Sequence, residues 1–440
     1  MLVMNNYING KLLPSLSGEM IEVLNPYNQE VIGTVPKSTR SDVEEALKSS
    51  QKAQKEWCKL PAQKRASYLM EIADLLELHK EEMAVLLTKE HGKPLPQARN
   101  EIDASCGFIR YAAESARRIE GEIVTSEIDQ EQTWIQRVPY GVTVGIIAWN
   151  FPLALAARKF GNSLVCGNTM IIKPPSETPL TVMRLAEIIE QESSLPAGVL
   201  NFITGSGSVV GDALVRNNIV KLVTLTGSTR AGLEVFRAAA DHCVAVRLEL
   251  GGKAPFIVME DTDIDRAVNA AVIAKFNNCG QICTCNERMY IHESIYEKFV
   301  AGLIEKTSEL VVGDPLNPDT FIGPKVNKAE VDKINQLVQK SVEQGGKVLL
   351  DMTPEMKPTQ NGNWMYPIII EVPNNDNVLM HDEIFGPVLP VMKVRDFDQA
   401  LDFANDSEYG LSAYLFTNNA KNIMLSLIHI SEPTRRVVIS

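Results

Sequence analysis

Between Gly141 and Gly252 the chain alternates two hydrophobic rhythms. Short apolar runs at Val142 to Trp149, Thr169 to Lys173, Val199 to Thr204, Leu222 to Thr226 and Ala245 to Leu250 predict strands. Runs of helical period follow Pro179, Val209 and Ala231. This order predicts a parallel sheet with helices on both faces, and ligands of such sheets bind at the carboxyl ends of the strands. Asn150, Lys173, Gly205 and Gly227 all fall at such ends. From Lys253 a second α/β unit is expected, with Pro255 to Met259 as its first strand. Helices near 263–277 and 294–309 follow, and a third runs to Gln344, where Gly345-Gly346 ends it.

Upstream, residues 5–36 predict short strands and turns, with Asn9-Gly10 as a hairpin turn. Ser41-Asp42-Val43-Glu44 has a capping pattern that opens a helix. Pro61 opens another, on which Leu69, Ile72, Leu76 and a packed or half-exposed His79 recur at helical spacing. A third spans Pro96 to Arg118, its arginines forming a solvated face. Residues 121–139, with Ile123, Thr125, Thr133, Ile135 and Val138, read as a long exposed hairpin. Left uncovered, such a hairpin is an edge-pairing risk.

A chain of 440 residues is too long for a single core. Its net charge of −12 argues against nucleic acid as a partner. No stretch is apolar enough to span a bilayer, and the first residues carry no signal-peptide pattern. The seven cysteines are scattered and odd in number, which fits free thiols in a reducing cytoplasm. Cys279, Cys283 and Cys285 cluster without the second ligand pair that zinc needs, so no metal is expected.

Two runs carry the chemistry. Cys283 lies in Phe276-Asn277-Asn278-Cys279-Gly280-Gln281-Ile282-Cys283, and Glu249 lies thirty-four positions earlier in Leu248-Glu249-Leu250-Gly251-Gly252-Lys253. They are expected to put a thiol and a carboxylate on two loops of one domain. A thiol can attack an electrophilic carbon, and a carboxylate can activate water against the resulting thioester. A lone cysteine is more often a small buried packing residue. Flanking by Leu248 and Leu250 implies a partly buried Glu249 with a raised pKa. Asn150 can donate its amide N–H to an oxyanion, with the Cys283 backbone N–H as second donor; the alternative is an Asn turn before Pro152. In an extended segment the Cys285 side chain points the same way as that of Cys283, which leaves open both an oxidised resting form and plain packing.

Six motifs in order give a resemblance: Trp149-Asn150-Phe151-Pro152, Lys173-Pro174, Thr226-Gly227-Ser228, Glu249-Leu250-Gly251-Gly252-Lys253, Gly280-Gln281-Ile282-Cys283 and Glu383-Ile384-Phe385-Gly386-Pro387. Over residues 5–424 the chain resembles the aldehyde dehydrogenase superfamily. The runs Cys283-Thr284-Cys285-Asn286-Glu287-Arg288 and 404–411 are most similar to the lactaldehyde and glycolaldehyde branch, with succinate-semialdehyde dehydrogenases next. The resemblance implies an α/β fold with a Rossmann-type cofactor domain (1–120 and 140–250), an oligomerisation hairpin (121–139) and an α/β catalytic domain (251–424). It implies NAD or NADP as cofactor, a small aldehyde as substrate, and a homo-oligomer, dimer or tetramer, in the full-length form. Cys283, Glu249 and Asn150 take the catalytic roles. Trp149, Lys173, Ser176, Gly207, Gly211, Gly227 and Ser228 fall to the cofactor; Glu383 holds the nicotinamide ribose and Phe385 packs near the ring.

In relatives that prefer NAD a glutamate stands three residues after the lysine matched by Lys173; Ser176 occupies that position here. A serine neither chelates the ribose diol nor repels a 2′-phosphate, so NADP is expected to be accepted. Arg158 is expected to face the substrate from the helix after Asn150, suiting either a hydroxyl or a carboxylate; a solvated arginine beside Lys159 is the alternative. Residues 425–440 depart from the family pattern and resemble translated sequencing-adapter read-through. A foreign tail is therefore expected, and with it a possible reading of the chain as a silent dinucleotide-binding fragment.

Overall fold

The computed structural model describes residues 1–354, 359–429 and 436–439. The chain divides into two compact units. The first holds Met1–Asn25, Glu30–His91 and Pro96–Leu250; the second holds Pro26–Gln29, Gly92–Leu95 and Gly251–Ser440.

The first unit is built on a seven-stranded sheet. Its order is Ala245–Glu249, Val220–Thr226, Val142–Ile146, Thr169–Lys173, Leu200–Phe202, Asn6–Ile8, Lys11–Leu13. The first five strands run parallel, and the last two add antiparallel. All five residues of Thr169–Lys173 are buried, as a strand covered on both faces requires. Helices Pro152–Val165, Leu180–Glu192 and Thr229–Ala240 lie between successive strands in the chain. The Asn9-Gly10 turn forms as expected, with φ of 53° and 75° at the two positions.

Several boundaries differ from the sequence reading. The strand expected over 142–149 stops at Ile146. The first long helix, Arg40–Trp57, is capped by Thr39 and not at Ser41. The Thr39 hydroxyl accepts from the Asp42 N–H while the Asp42 carboxylate accepts the Thr39 N–H at 2.7 Å. The closing box is therefore Thr-x-x-Asp, two residues earlier. The helix from Leu95 ends at Glu114, and a 3₁₀ turn carries on to Arg118. A helix over Lys80–His91 went unanticipated; its buried face holds the polar Thr88, Glu90 and His91 beside Met83, Ala84, Leu86 and Leu87, so hydrophobicity does not mark it.

Strands Glu122–Thr125 and Gln132–Ile135 form a separate antiparallel hairpin, exposed at every position. Ile123 and Trp134 are register partners, 66% and 62% exposed.

The second unit holds another seven-stranded sheet: Lys347–Asp351, Ile368–Glu371, Val388–Val394, Asn286–His292, Ala254–Val258, Ser412–Phe416, Arg436–Ile439. Only the first pair is antiparallel. Phe256 and Val258 point into one hydrophobic cluster and Ile257 and Met259 into another, so the central strand is buried on both faces. Helix Lys328–Glu343 ends where expected, with Gly345 at φ 90° and the Gly346 N–H returning to the Ser341 carbonyl. Of the segment expected to be a foreign tail, residues 430–435 and 440 lie outside the described residues, while Arg436–Ile439 pairs in parallel with Ser412–Phe416. Among the described residues no helix is long and apolar enough to cross a membrane.

Candidate active site

In the first unit the residues singled out by sequence gather along the carboxyl edge of the parallel strands. The Ile147 N–H donates to the Lys173 carbonyl at 3.2 Å, which ties the run leading to Asn150 to the end of the neighbouring strand. Asn150 is buried, 5% exposed. Two residues on, Pro152 begins the helix Pro152–Val165, where a missing N–H costs nothing. The next two N–H groups, of Leu153 and Ala154, donate to the buried Glu101 carboxylate at 3.0 and 3.3 Å. The Trp149 carbonyl accepts from the Thr178 hydroxyl at 2.9 Å, and its ring lies 5.9 Å from that of His91. Asn150 thus sits between anchored neighbours.

Lys173 is buried and its ammonium donates to the Pro174 carbonyl at 2.9 Å. Burial pushes it down to about 8, with Glu177 opposing the shift. Ser176 is exposed. Gly207–Gly211 forms a π turn in which the Ser206 hydroxyl accepts from the Val209 N–H. No atom lies within 4 Å of where a Cβ on Gly207 would stand, and one on Gly211 would lie 4.0 Å from Lys173 Cδ. The Gly227 N–H donates to the Glu249 carbonyl at 3.0 Å, and the exposed Ser228 caps helix Thr229–Ala240 by accepting from the Ala231 N–H.

Glu249 is half-buried, but it is not on a loop. It is the last residue of strand Ala245–Glu249, in register with Thr226, because the glycines that break the strand begin only at Gly251. Arg158 is exposed, its guanidinium 5.2 Å from the Phe108 ring centre. Its neighbour Lys159 turns the other way, donating to the Thr224 hydroxyl at 2.9 Å; burial pushes it down to about 7, and Arg158 adds to the shift. Sequence reading missed both Glu101 and Lys159.

In the second unit Cys283 lies in a turn, half-buried, where the Cys285 N–H donates to the Ile282 carbonyl at 3.0 Å. The extended segment expected here is absent, and Cys285 does not follow Cys283. Its thiol is buried and donates to the Lys275 carbonyl at 3.5 Å, and burial pushes it up to about 12. Cys279 is buried too and pushed up to about 11. Before the turn, Asn278, Cys279 and Gly280 all have positive φ, at 52°, 55° and 72°. Such backbone persists only where its surroundings hold it. Here the Gln281 amide donates to the Asn278 carbonyl at 3.0 Å and its oxygen accepts the Val326 N–H at 3.2 Å.

The Gly252 N–H donates to the half-buried Glu383 carboxylate at 2.9 Å. Burial raises the Glu383 pKa, and this N–H counteracts it. Below that contact sits a buried ionic cluster that sequence reading did not find. Glu287 accepts Lys253 Nζ at 3.0 Å and Lys275 Nζ at 3.1 Å. It also accepts the backbone N–H groups of Ile384 at 2.8 Å and Phe385 at 3.2 Å. Burial alone would raise the Glu287 pKa; Lys275 and Lys253 reverse this and hold it at about 2.

The model of the aldehyde dehydrogenase family matches residues 13–430. This chain belongs to the aldehyde dehydrogenase family. As an aldehyde dehydrogenase it is an NAD(P)-dependent oxidoreductase. It is 42% identical to a 3,6-anhydro-α-L-galactose dehydrogenase of Vibrio sp. (strain EJY3), over 95% of this chain and 87% of that one. It is 39% identical to a D-glyceraldehyde dehydrogenase (NADP(+)) of Picrophilus torridus, over 96% and 85%. A solved 3,6-anhydro-L-galactose dehydrogenase in complex with NADP superposes with a TM-score of 0.96 at 42% identity, over 99% of this chain and 91% of that one. The lactaldehyde dehydrogenase of Escherichia coli also gives 0.96, at 36% identity, over 100% and 91%.

Within each unit taken by itself the residues present suit part of a dinucleotide. In the first unit a twelve-residue helix begins beside Gly227, offering N–H groups to a pyrophosphate. Lys173 and the open space at Gly207 lie on the same sheet edge. In the second unit the Glu383 carboxylate is fixed by Gly252, a suitable acceptor for ribose hydroxyls.

Proposed function

We propose that this aldehyde dehydrogenase oxidises a small 2-hydroxyaldehyde, such as lactaldehyde or glycolaldehyde, to its acid. Cys283 is the nucleophile: its thiolate adds to the carbonyl carbon and gives a thiohemiacetal. The oxygen that becomes negative receives the Asn150 amide N–H and the Cys283 backbone N–H. NAD or NADP, when bound, would supply the hydride acceptor needed to oxidise the thiohemiacetal to a thioester. Glu249 then takes a proton from water as the water attacks the thioester, and Cys283 leaves as the thiolate. Lys173, Ser176, Trp149, Gly207, Gly211, Gly227 and Ser228 serve the adenosine and pyrophosphate side. Glu383 and Phe385 serve the nicotinamide side.

One observation carries this reading. Of the three cysteines clustered at 279–285, Cys279 and Cys285 are buried with raised thiol pKa values, while Cys283 is half-exposed in a turn. The substrate class is supported by similarity to enzymes named for glyceraldehyde and lactaldehyde, both 2-hydroxyaldehydes. Arg158, steadied against Phe108, is the candidate partner for the hydroxyl. The exposed apolar pair on the 121–139 hairpin supports a homo-oligomer, and the scattered free thiols support a cytoplasmic site.

Initial rates with lactaldehyde, glycolaldehyde and succinate semialdehyde, each with NAD and with NADP, test the proposal. The hydroxyaldehydes are expected to give the higher kcat/KM. A preference for succinate semialdehyde would overturn the substrate class. Dinucleotide binding without turnover of any aldehyde would overturn the catalytic assignment.

A further inference from the structure

We propose that Glu287 is the positioning residue for the Glu383–Phe385 segment, and through it for the nicotinamide end of the bound dinucleotide. The inference rests on the reading of Glu383 and Phe385 as cofactor residues.

Glu287 lies in strand Asn286–His292, all but its last residue buried. A carboxylate there is costly unless every lone pair is used. Glu287 uses both oxygens twice. One accepts Lys253 Nζ and the Ile384 N–H; the other accepts Lys275 Nζ and the Phe385 N–H. The two lysines belong to different parts of the unit. Lys253 follows Gly252, the donor to Glu383. Lys275 lies in helix Ile264–Phe276, which leads into the Cys283 turn, and its carbonyl receives the Cys285 thiol.

The segment held this way does not hold itself. Phe385 has φ 56°, an outlier for a bulky residue. Its carbonyl is taken by Lys325 Nζ at 2.5 Å, and the Asp382 carbonyl by Lys253 Nζ at 2.6 Å. Three buried lysines thus surround the segment, and Glu287 is the acid that pairs with two of them and also grips two consecutive backbone N–H groups. The two N–H bonds to the residues flanking Glu383 on its carboxyl side are what couple it to the cofactor.

Equilibrium binding, without aldehyde, tests this on the full chain. The ligands are oxidised NADP, oxidised NAD, and the adenosine-side fragments 2′,5′-ADP and 5′-AMP. In Glu287→Gln the amide NH₂ faces donors, and loss of one charge-assisted bond corresponds to roughly a tenfold effect. The Kd for either dinucleotide is expected to rise about tenfold and that for the fragments less than about twofold. Glu287→Asp keeps the charge, and so the ion pairs that folding needs, but its shorter reach loses the N–H groups; the same selective weakening is expected. Equal weakening of dinucleotide and fragment overturns the inference in favour of a general packing role. So does an unchanged dinucleotide Kd in both variants while Glu383→Gln weakens it. If Glu383→Gln also leaves dinucleotide binding unchanged, the underlying reading of Glu383 falls.

Discussion

Gly252 and Cys283 leave no room for a methyl group between them: a Cβ on Gly252 would stand 2.2 Å from the Cys283 carbonyl oxygen. That oxygen is backbone and cannot swing aside, so Gly252→Ala must displace the turn that carries the thiol. A displacement near 1 Å of a reacting group costs on the order of a hundredfold in rate. Overpacking of this kind costs about 1–3 kcal/mol of stability. Gly252→Ala is therefore expected to fold, to melt lower, and to lose about two orders of magnitude in kcat/KM. Steady-state rates set beside urea unfolding curves check this. A variant with normal rates would mean that the turn tolerates the shift and that the Cys283 position is not critical.

The cysteine cluster gives a second prediction. Cys279 is 2% exposed and Cys285 1%, and burial keeps both thiols protonated at neutral pH. Native alkylation with iodoacetamide, mapped by peptide mass, is expected to modify Cys283 alone among the three and to abolish activity in step. Cys283→Ser is expected to lose at least about a thousandfold in kcat, in line with removal of a covalent nucleophile. Cys285→Ser should keep most of its activity and respond to oxidants as the parent does. If its response differs, Cys285 takes part in a redox exchange that its buried hydrogen bond to Lys275 argues against.

What could be read from sequence were positions where backbone geometry restricts residue type. Gly252 against the Cys283 carbonyl and Gly280 beside the Gly386 carbonyl are of that kind. The α/β order was legible because short apolar runs and helical stripes alternate. Helix Lys80–His91 was not, because Thr88, Glu90 and His91 are polar yet lie on its buried face. Glu249 stands at the very end of its strand, two residues before Gly251, so the apolar run and the glycine run gave it two readings, strand and loop. Glu101, Lys159 and Glu287 escaped for a shared reason: each is charged and its role depends on partners distant in sequence. Glu287 did leave a trace, a carboxylate inside an otherwise buried strand, which demands buried partners.

Ser176 bears on cofactor choice. It is exposed, three residues beyond Lys173, the last residue of a buried strand, and is proposed for the adenosine side. A carboxylate introduced there would repel a 2′-phosphate and accept from the ribose diol. Ser176→Glu is expected to lower the NADP-to-NAD ratio of kcat/KM by at least about tenfold, mainly through KM for NADP. The same variant assayed in higher salt should recover part of the loss, since an exposed like-charge pair is screened. An unchanged ratio would remove Ser176 from the adenosine ribose site.

Lys159 carries a pH prediction. Its ordinary pKa is 10.5; in the folded protein burial pushes it to about 7. Between about pH 7 and 10.5 the unfolded chain therefore binds a proton at this side chain that the folded chain does not, and stability rises with pH across that window. Below pH 7 the folded state bears the full cost of a charged, largely buried ammonium. Lys159→Met removes that cost and leaves the Thr224 hydroxyl, which is only half-buried, to water. The variant is expected to be more stable than the parent at pH 6, with the advantage shrinking as pH rises toward 10. Urea midpoints for both proteins at pH 6, 8 and 9.5 measure it. Lys173, Lys253 and Lys325 are shifted downward as well, each to about 8, so the parent alone cannot isolate one lysine. The difference between variant and parent does. A difference that stays constant with pH would mean that the Lys159 ammonium reaches water in solution, and its depressed pKa would have to be abandoned.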